Sequence, residues 1–360
     1  MKPDALPYQG NLEWLRERAI LVVTHGSHAY GLNTPASDLD IKGVAIPPRE
    51  YFHGFAKRFE QAESKEPDMV IYDIRKFFAL AADCNPNIIE VVWGAAEHVR
   101  GVTVIGLRLI GLGGDFLSKK AKHTFSGYAV SQLKRIRTHR RWLLSEIKPP
   151  PTRAEMGLPE RTVIPADQLS AAHAAIEKKL ATWQLEDMSG LDQAAKVQIL
   201  NGLAEMLAEM KITGDATYSA AGRSIGYDEN FLRLLDLERA YKARHAEWDQ
   251  YQNWKANRNP TRAALEAKHG YDCKHAMHLV RLMRMCREIL TEGKVIVKRP
   301  DRDELLAIRN GAWSYDRLEE WAEKQDAELT EVAKTSKLPN APDRAYLDRV
   351  CAEMVEASLS

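Results

Sequence analysis

An apolar segment, residues 19–24 (AILVVT), runs into Gly26-Ser27, and eleven residues past that serine "SDLDIKG" sets Asp38 and Asp40 on either side of a leucine. The stretch 39–46 otherwise reads as a buried strand, short and bounded by turn formers. Two like charges there repel and lose hydration on burial, so a positive partner is required between them. In a strand, side chains at i and i+2 share a face about 6.5–7 Å apart. That period predicts Asp38 and Asp40 pointing one way, with Leu39 and Ile41 turned to the core. Residues 68–73 (DMVIYD) read as a further strand opened by Asp68. If the two strands are neighbours, three carboxylates converge. Asp73, at the far end of that strand, falls on the opposite face, so only one of Asp68 and Asp73 belongs to the cluster. Oxygen-only donors suit a hard cation, and a two-metal site holds its ions about 3.5–4 Å apart. Two Mg²⁺ ions, or Mn²⁺ in their place, would remove the repulsion and orient a phosphate.

Gly26-Ser27 precedes "HAYGL", which looks like a short helix start. A glycine lets a phosphate approach the backbone, Ser27 adds a hydroxyl donor, and a helix N-terminus adds amide hydrogens. A Walker loop is excluded because no G-K-[ST] follows. An EF-hand is excluded because no D-x-D-x-D run precedes Gly43 and no glutamate closes a twelve-residue loop. Phosphate cradle and carboxylates within one strand–turn–strand unit fit nucleotidyl transfer: a clamped triphosphate, in-line attack by a hydroxyl, pyrophosphate leaving.

Beyond about residue 115 strand signals almost vanish. Helical periodicity appears in "IRKFFALAAD" and "PNIIEVVWGAAEHV", and then near 116–147, 166–187, 192–211, 228–257, 262–269, 272–292, 302–310, 315–335 and 342–358. "KPPPTRAEMGLPE", "MSGLD", "NRNP" and "KRPDRD" mark the breaks. The expected fold class is α+β: a small head with a mixed sheet and flanking helices over 1–115, then a larger all-helical body over 116–360. A net charge of +1 argues that any polyanion contact is local. Four scattered cysteines without C-x-x-C spacing give no zinc or disulfide framework and suit a reducing, cytoplasmic setting. No signal core or apolar run of about 18 residues is present, so no membrane partner is expected.

"GSHAYG…SDLDIKG" resembles the signature of the DNA polymerase β superfamily of nucleotidyltransferases. With "NPNIIE" (Asn85 to Glu90), "GYAVSQL" (Gly127 to Leu133) and "YDCKHAMHLVRL" (Tyr271 to Leu282), the longer pattern resembles a predicted RNA-repair-associated subgroup. The resemblance implies a polymerase-β-like head, Asp38 and Asp40 as catalytic metal ligands, Asp68 as the third carboxylate, and Gly26 and Ser27 on the triphosphate. It also implies an NTP substrate and, as acceptor, an RNA 3′ end in tRNA or RNA repair. The alternatives are nucleotidylation of a protein or small-molecule hydroxyl, or a toxin–antitoxin-type nucleotide-binding module. Three costly acids argue against a pure binder.

Residues 119–148 carry nine Lys or Arg against one acid, Glu146, with His123, Tyr128, His139 and Trp142 interleaved. Lys134, Arg135, Arg140 and Arg141 are the candidate contacts to an RNA backbone, with rings available for stacking. The competing reading is a solvated helix face. In "YDCKHAMHLVRLM", Lys274, His278 and Arg281 fall within about a 60° arc of a helix, with Tyr271 and His275 beside them. They are the candidate nucleotide-binding donors, against a competing reading as core-edge histidines and exposed bases. His275 and His278 lack a third metal ligand. "NPNIIE" reads as a capped helix start, Asn85 or Asn87 capping, with Glu90 in the first turn bracing the site. Trp142, Trp183, Trp248, Trp254, Trp313 and Trp321 read as packing.

Overall fold

Strand β1 (Ala19–His25) is buried along almost its whole length and anchors a five-stranded sheet of order β3-β4-β2-β1-β5. It pairs antiparallel with β2 (Asp40–Ala45), setting His25 opposite Asp40, and with β5 (Val99–Val102) on its other side. β2 runs parallel to β4 (Asp68–Asp73), with Ile41 opposite Met69, and β3 (Gln61–Lys65) closes the far edge. These coordinates come from a computed structural model describing residues 6–8, 10–35, 37–53, 55–186 and 214–360. The three expected strands are present. The two edge strands escaped the sequence pattern because "QAESK" is polar and "VRGV" is short, and an edge strand needs little apolar surface.

One sheet face packs on Leu6, Tyr8, Leu15 and Phe59. The other is covered by α1 (Ile74–Ala82), α2 (Pro86–Val92) and α3 (Val104–Gly111), whose buried side chains join a core that continues into the helices after residue 270. Asn85 is the residue that caps α2, its Oδ1 accepting from Asn87 N at 3.0 Å. The helix ends at Val92, earlier than its periodicity suggested, and Glu90 sits beyond its first turn. The helix α3 was not anticipated; "VIGLRLIG" lacks polar punctuation at helical spacing.

A stretch of wider π winding, Lys122–Ser126, leads into α4 (Gly127–Leu144). Two compact units follow a cut different from the expected division at 115/116: one joins 1–145 with 259–360, and the other is 146–258. The second unit contains α5 (Ala166–Glu186), α6 (Gly214–Ser224) and α7 (Glu229–Ala256), packed around Leu169, Ile176, Tyr218, Leu232 and Leu235. The helix expected over 192–211 and the packing of Trp183 lie outside the described residues. The first unit is completed by α8 (Pro260–His269), α9 (Cys273–Glu292), α10 (Arg302–Arg309), α11 (Tyr315–Thr335) and α12 (Arg344–Leu359). α9 is its axis, burying Met277, Leu279, Leu282, Met283 and Cys286. All four cysteines are free and buried. Among the described residues no helix is long and apolar enough to cross a membrane.

Candidate active site

β1 ends at His25, and the chain turns through Gly26 at φ +65° into a single helical turn, Gly26–Ala29. Register brings Asp40 beside this turn. A Cβ on Gly26 would stand 1.7 Å from Asp40 Oδ2, so the glycine is needed both for its left-handed backbone and for the approach of that carboxylate. The close approach anticipated for a phosphate is thus made by Asp40. Ser27 lines the same space, and no described residue bonds its hydroxyl.

β2 begins only at Asp40. Asp38 and Leu39 lie in the preceding loop, and Leu39 is 36% exposed, which corrects the expectation that it turns to the core. A turn closed by Ser37 N to Thr34 O (2.9 Å) and Thr34 N to Ser37 Oγ (2.9 Å) holds this approach outside the sheet. Parallel pairing one residue later, Ile41 with Met69, sets Asp68 level with Asp40. Asp38, Asp40 and Asp68 all line one cavity of about 820 Å³. Asp73 instead caps α1, accepting from Arg75 N at 2.7 Å and pairing with Arg75 Nη2 at 2.9 Å. Of the two competing acids, Asp68 is the one on the cavity.

Burial pushes the Asp40 carboxyl up, and Asp68 and Asp38 add to this against His25 and Lys42. Unneutralised oxygen charge of this kind suits Mg²⁺ chemically. Among the described residues, however, no three His, Cys, Asp or Glu side chains are gathered closely enough to hold an ion as they stand. Lys42 shares a face with Asp40, and its Nζ donates to Asn87 O at 3.0 Å. Burial pushes this ammonium down, opposed by Glu90, Asp40 and Asp68. The sequence reading passed over Lys42, although its position two residues after Asp40 was the signal.

Behind the acids lies a buried hub. Glu90 accepts from Tyr30 Oη at 2.5 Å and from Arg281 Nη1 at 2.7 Å, while the Arg281 guanidinium sits 3.8 Å from the centre of the Tyr30 ring. His25 Nε2 is 3.2 Å from Glu90 Oε2, within ion-pair reach but at an angle that leaves it without a hydrogen bond. Burial lowers the His25 pKa, with Glu90 opposing. Burial also works to raise Glu90, yet Arg281, His25 and Tyr30 more than offset it and hold the carboxyl well below its usual range. Arg281, expected as a phosphate donor, lines the cavity but is already ion-paired.

Three consecutive carbonyls after the Gly-Ser turn are held from the far end of the chain. Tyr30 O accepts from Arg299 N (3.1 Å), Gly31 O from Arg302 Nε (2.6 Å) and Leu32 O from Arg309 Nη1 (3.2 Å).

α9 supplies the opposite wall. Lys274 is exposed to the cavity and has no hydrogen bond or ion pair among the described residues; burial, Arg262 and Arg309 push its pKa down. His278 also lines the cavity, its pKa pushed well below the ordinary value by burial and by Arg281, His275 and Lys274. Tyr271 departs from the expected stripe: it is fully buried and donates to Trp313 O at 2.8 Å. His275 is engaged by the buried Asp272 and by Arg262, neither of which the sequence reading singled out, and it meets Arg135 Nη1 at 3.3 Å.

The basic segment divides. Arg135 lines the cavity, whereas Arg140 lies over the Tyr315 ring at 4.3 Å. Arg137 pairs with Glu319 and Glu323 on α11, and Lys122 with Asp326. Lys134 and Arg141, seven residues apart on α4, are exposed. The acids of α11 that engage Arg137 and Lys122 lie almost two hundred residues away in sequence, and none of the four candidate RNA contacts is in those pairs.

Over residues 11–149 the chain matches the RNA repair pathway DNA polymerase beta family. This supports the subgroup that its motifs resemble. The chain is also similar to an uncharacterized 38.9 kDa protein of the nrdC-mobD intergenic region of Enterobacteria phage T4. The two are 35% identical over 84 residues, covering 21% of this chain and 25% of the phage protein. No solved structure matches.

Proposed function

We propose that this protein is a metal-dependent nucleotidyltransferase that moves a nucleoside monophosphate from an NTP to a hydroxyl, with an RNA 3′ end in tRNA or RNA repair as the acceptor. The observation that carries the reading is the shared cavity: Asp40 and Asp68 line it from the sheet and Asp38 from the loop before β2, and Lys274 and His278 line it from α9. Mg²⁺ or Mn²⁺ held by Asp38, Asp40 and Asp68 would lower the pKa of the attacking hydroxyl and neutralise charge on the triphosphate. Lys274, free of a carboxylate partner, orients the phosphate tail. Neutral His278 donates a hydrogen bond there without adding to the cluster of cations. Ser27 offers its hydroxyl to a phosphate oxygen. The Glu90 hub fixes the ring of Tyr30 and the guanidinium of Arg281, so the turn after β1 and α9 keep a set distance. Arg135 supports an anionic acceptor at the edge of the same cavity. The four buried thiols suit the cytoplasm.

The test is to incubate pure protein with each labelled NTP, Mg²⁺ and total RNA, and then locate the label. Label at RNA 3′ ends supports the reading. Label on protein or on a small molecule moves the acceptor. Tight NTP binding with no transfer to any of these favours the nucleotide-binding module.

A further inference from the structure

The motif "GYAVSQL" has no role in the chemistry above, yet it forms the wall of the cavity on α4. Tyr128, Gln132 and Arg135, at i, i+4 and i+7, share one stripe, and all three line the cavity. The neighbouring stripe, Ala129, Leu133 and Ile136, is buried in the core and fixes which side of α4 faces inward.

Gln132 is only 5% exposed, and its carboxamide makes no hydrogen bond to any described residue. Both polar atoms of that carboxamide reach the cavity's solvent rather than being sealed in the core. A side chain buried along its stem, with its amide open to the cavity and bonded to no neighbour, is free to pair with what the cavity holds. One turn before it, Tyr128 is 43% exposed, a large ring presented to the cavity. One turn after it, Arg135 offers a guanidinium whose one described side-chain contact is His275.

We infer that this stripe is a nucleobase subsite: the Tyr128 ring stacks on the base, the Gln132 carboxamide pairs with its edge, and Arg135 holds the adjoining phosphate. A carboxamide presents one donor and one acceptor side by side, the pattern that pairs bidentately with the edge of adenine. Aromatic stacking accepts any base. The assignment rests on the nucleotidyltransferase reading and deepens it, because a cavity with acids and cations alone would hold a triphosphate without sensing what it carries. The base belongs either to the incoming NTP or to the terminal nucleotide of the acceptor, and binding measurements separate the two.

Dissociation constants are measured for non-hydrolysable analogues of the four NTPs, for inorganic tripolyphosphate as the base-free probe, and for a short RNA beside its abasic counterpart. Wild type should bind at least one base-bearing probe about tenfold or more tighter than its base-free partner. Tyr128→Ala, at an exposed position, should weaken that probe by about ten- to a hundredfold. Tyr128→Phe should restore most of the affinity. Gln132→Met, similar in volume, should weaken it about five- to fiftyfold and reduce discrimination among bases. Tripolyphosphate and abasic RNA should be unaffected by either change. Loss confined to NTPs assigns the incoming base, and loss confined to RNA assigns the acceptor's; both support the subsite. Wild-type affinities within twofold for every base-bearing probe in Tyr128→Ala and Gln132→Met overturn it. Equal loss of tripolyphosphate also overturns it. Base-dependent binding without label transfer would leave the subsite standing and refute the transferase reading alone.

Discussion

Glu90→Gln isolates the hub from the chemistry. The change keeps the shape and two hydrogen-bonding atoms but removes the charge that faces Arg281, and Arg281 is itself only 4% exposed. Removing one member of a buried pair strands the other in a medium that solvates it poorly, at a typical cost of about 3–5 kcal/mol. Glutamine still accepts one hydrogen bond, so about 3 kcal/mol at pH 7 is expected. At roughly 2–4 °C per kcal/mol, the melting temperature should fall by about 6–12 °C. The pH dependence follows from the depressed carboxyl. Its folded pKa lies below the unfolded one, so its contribution is complete above about pH 4.5 and is lost as pH falls toward the folded value. The gap between wild type and variant should therefore narrow in acid. Urea unfolding read through amide exchange on α9 keeps 146–258 out of the signal. Glu90→Gln/Arg281→Met, which removes both charges, should recover much of the loss. A deficit below about 1 kcal/mol at pH 7, or one that widens in acid, would refute the hub.

Asp40→Asn should cut transfer more than a hundredfold yet leave metal-free protein no less stable. Its carboxyl is raised, so the folded state is penalised for ionising it above that pKa; the variant's gain should be present at pH 7 and absent near pH 3.5 in thermal melts. A less stable variant at pH 7, or transfer within tenfold of wild type, contradicts this. Gly26→Ala must move Asp40 and adopt a left-handed backbone, for about 1–2 kcal/mol of strain, and should weaken Mn²⁺ binding by electron paramagnetic resonance as Asp40→Asn does; unchanged Mn²⁺ affinity would detach the glycine from the acids. For RNA, Arg135→Ala should flatten the slope of log K against log salt by about 0.7, as should neutralising Lys134 or Arg141, whereas Arg140→Ala should act through stability because it packs on Tyr315. A slope that responds to Arg140 alone would reverse that division.

What was legible in the sequence followed the range of the interactions. β1, β2 and β4 announced themselves because a buried strand needs apolar, β-branched residues locally, and the period of two carried Asp40 and Asp68 to one side. The same period failed at Asp38 and Leu39, because nothing local says where a strand begins; the Thr34–Ser37 turn decides that. Arg281 could not be read as neutralised, since its partner Glu90 lies 191 residues earlier. The pairing of Arg137 and Lys122 was hidden for the same reason: their acids are on α11. The Gly26 position was rightly marked as special, but the atom that requires it to be glycine is an oxygen of Asp40.

These long-range pairings bear on what the family match can carry. The matched segment, 11–149, ends close to where the first part of its compact unit ends, at residue 145. It contains the acids, Lys42, Glu90 and the Tyr128–Gln132–Arg135 stripe. It lacks Lys274, His278, Arg281 and Arg309, which α9 and α10 bring to the same cavity only after the chain has formed residues 146–258 and returned. An excised 11–149 segment would therefore keep its carboxylates but leave Glu90 without Arg281, and would expose the carbonyls of Tyr30, Gly31 and Leu32 that Arg299, Arg302 and Arg309 hold. The site is complete only in the two-part unit, and the cationic half that would recognise phosphate is set by residues beyond the matched region.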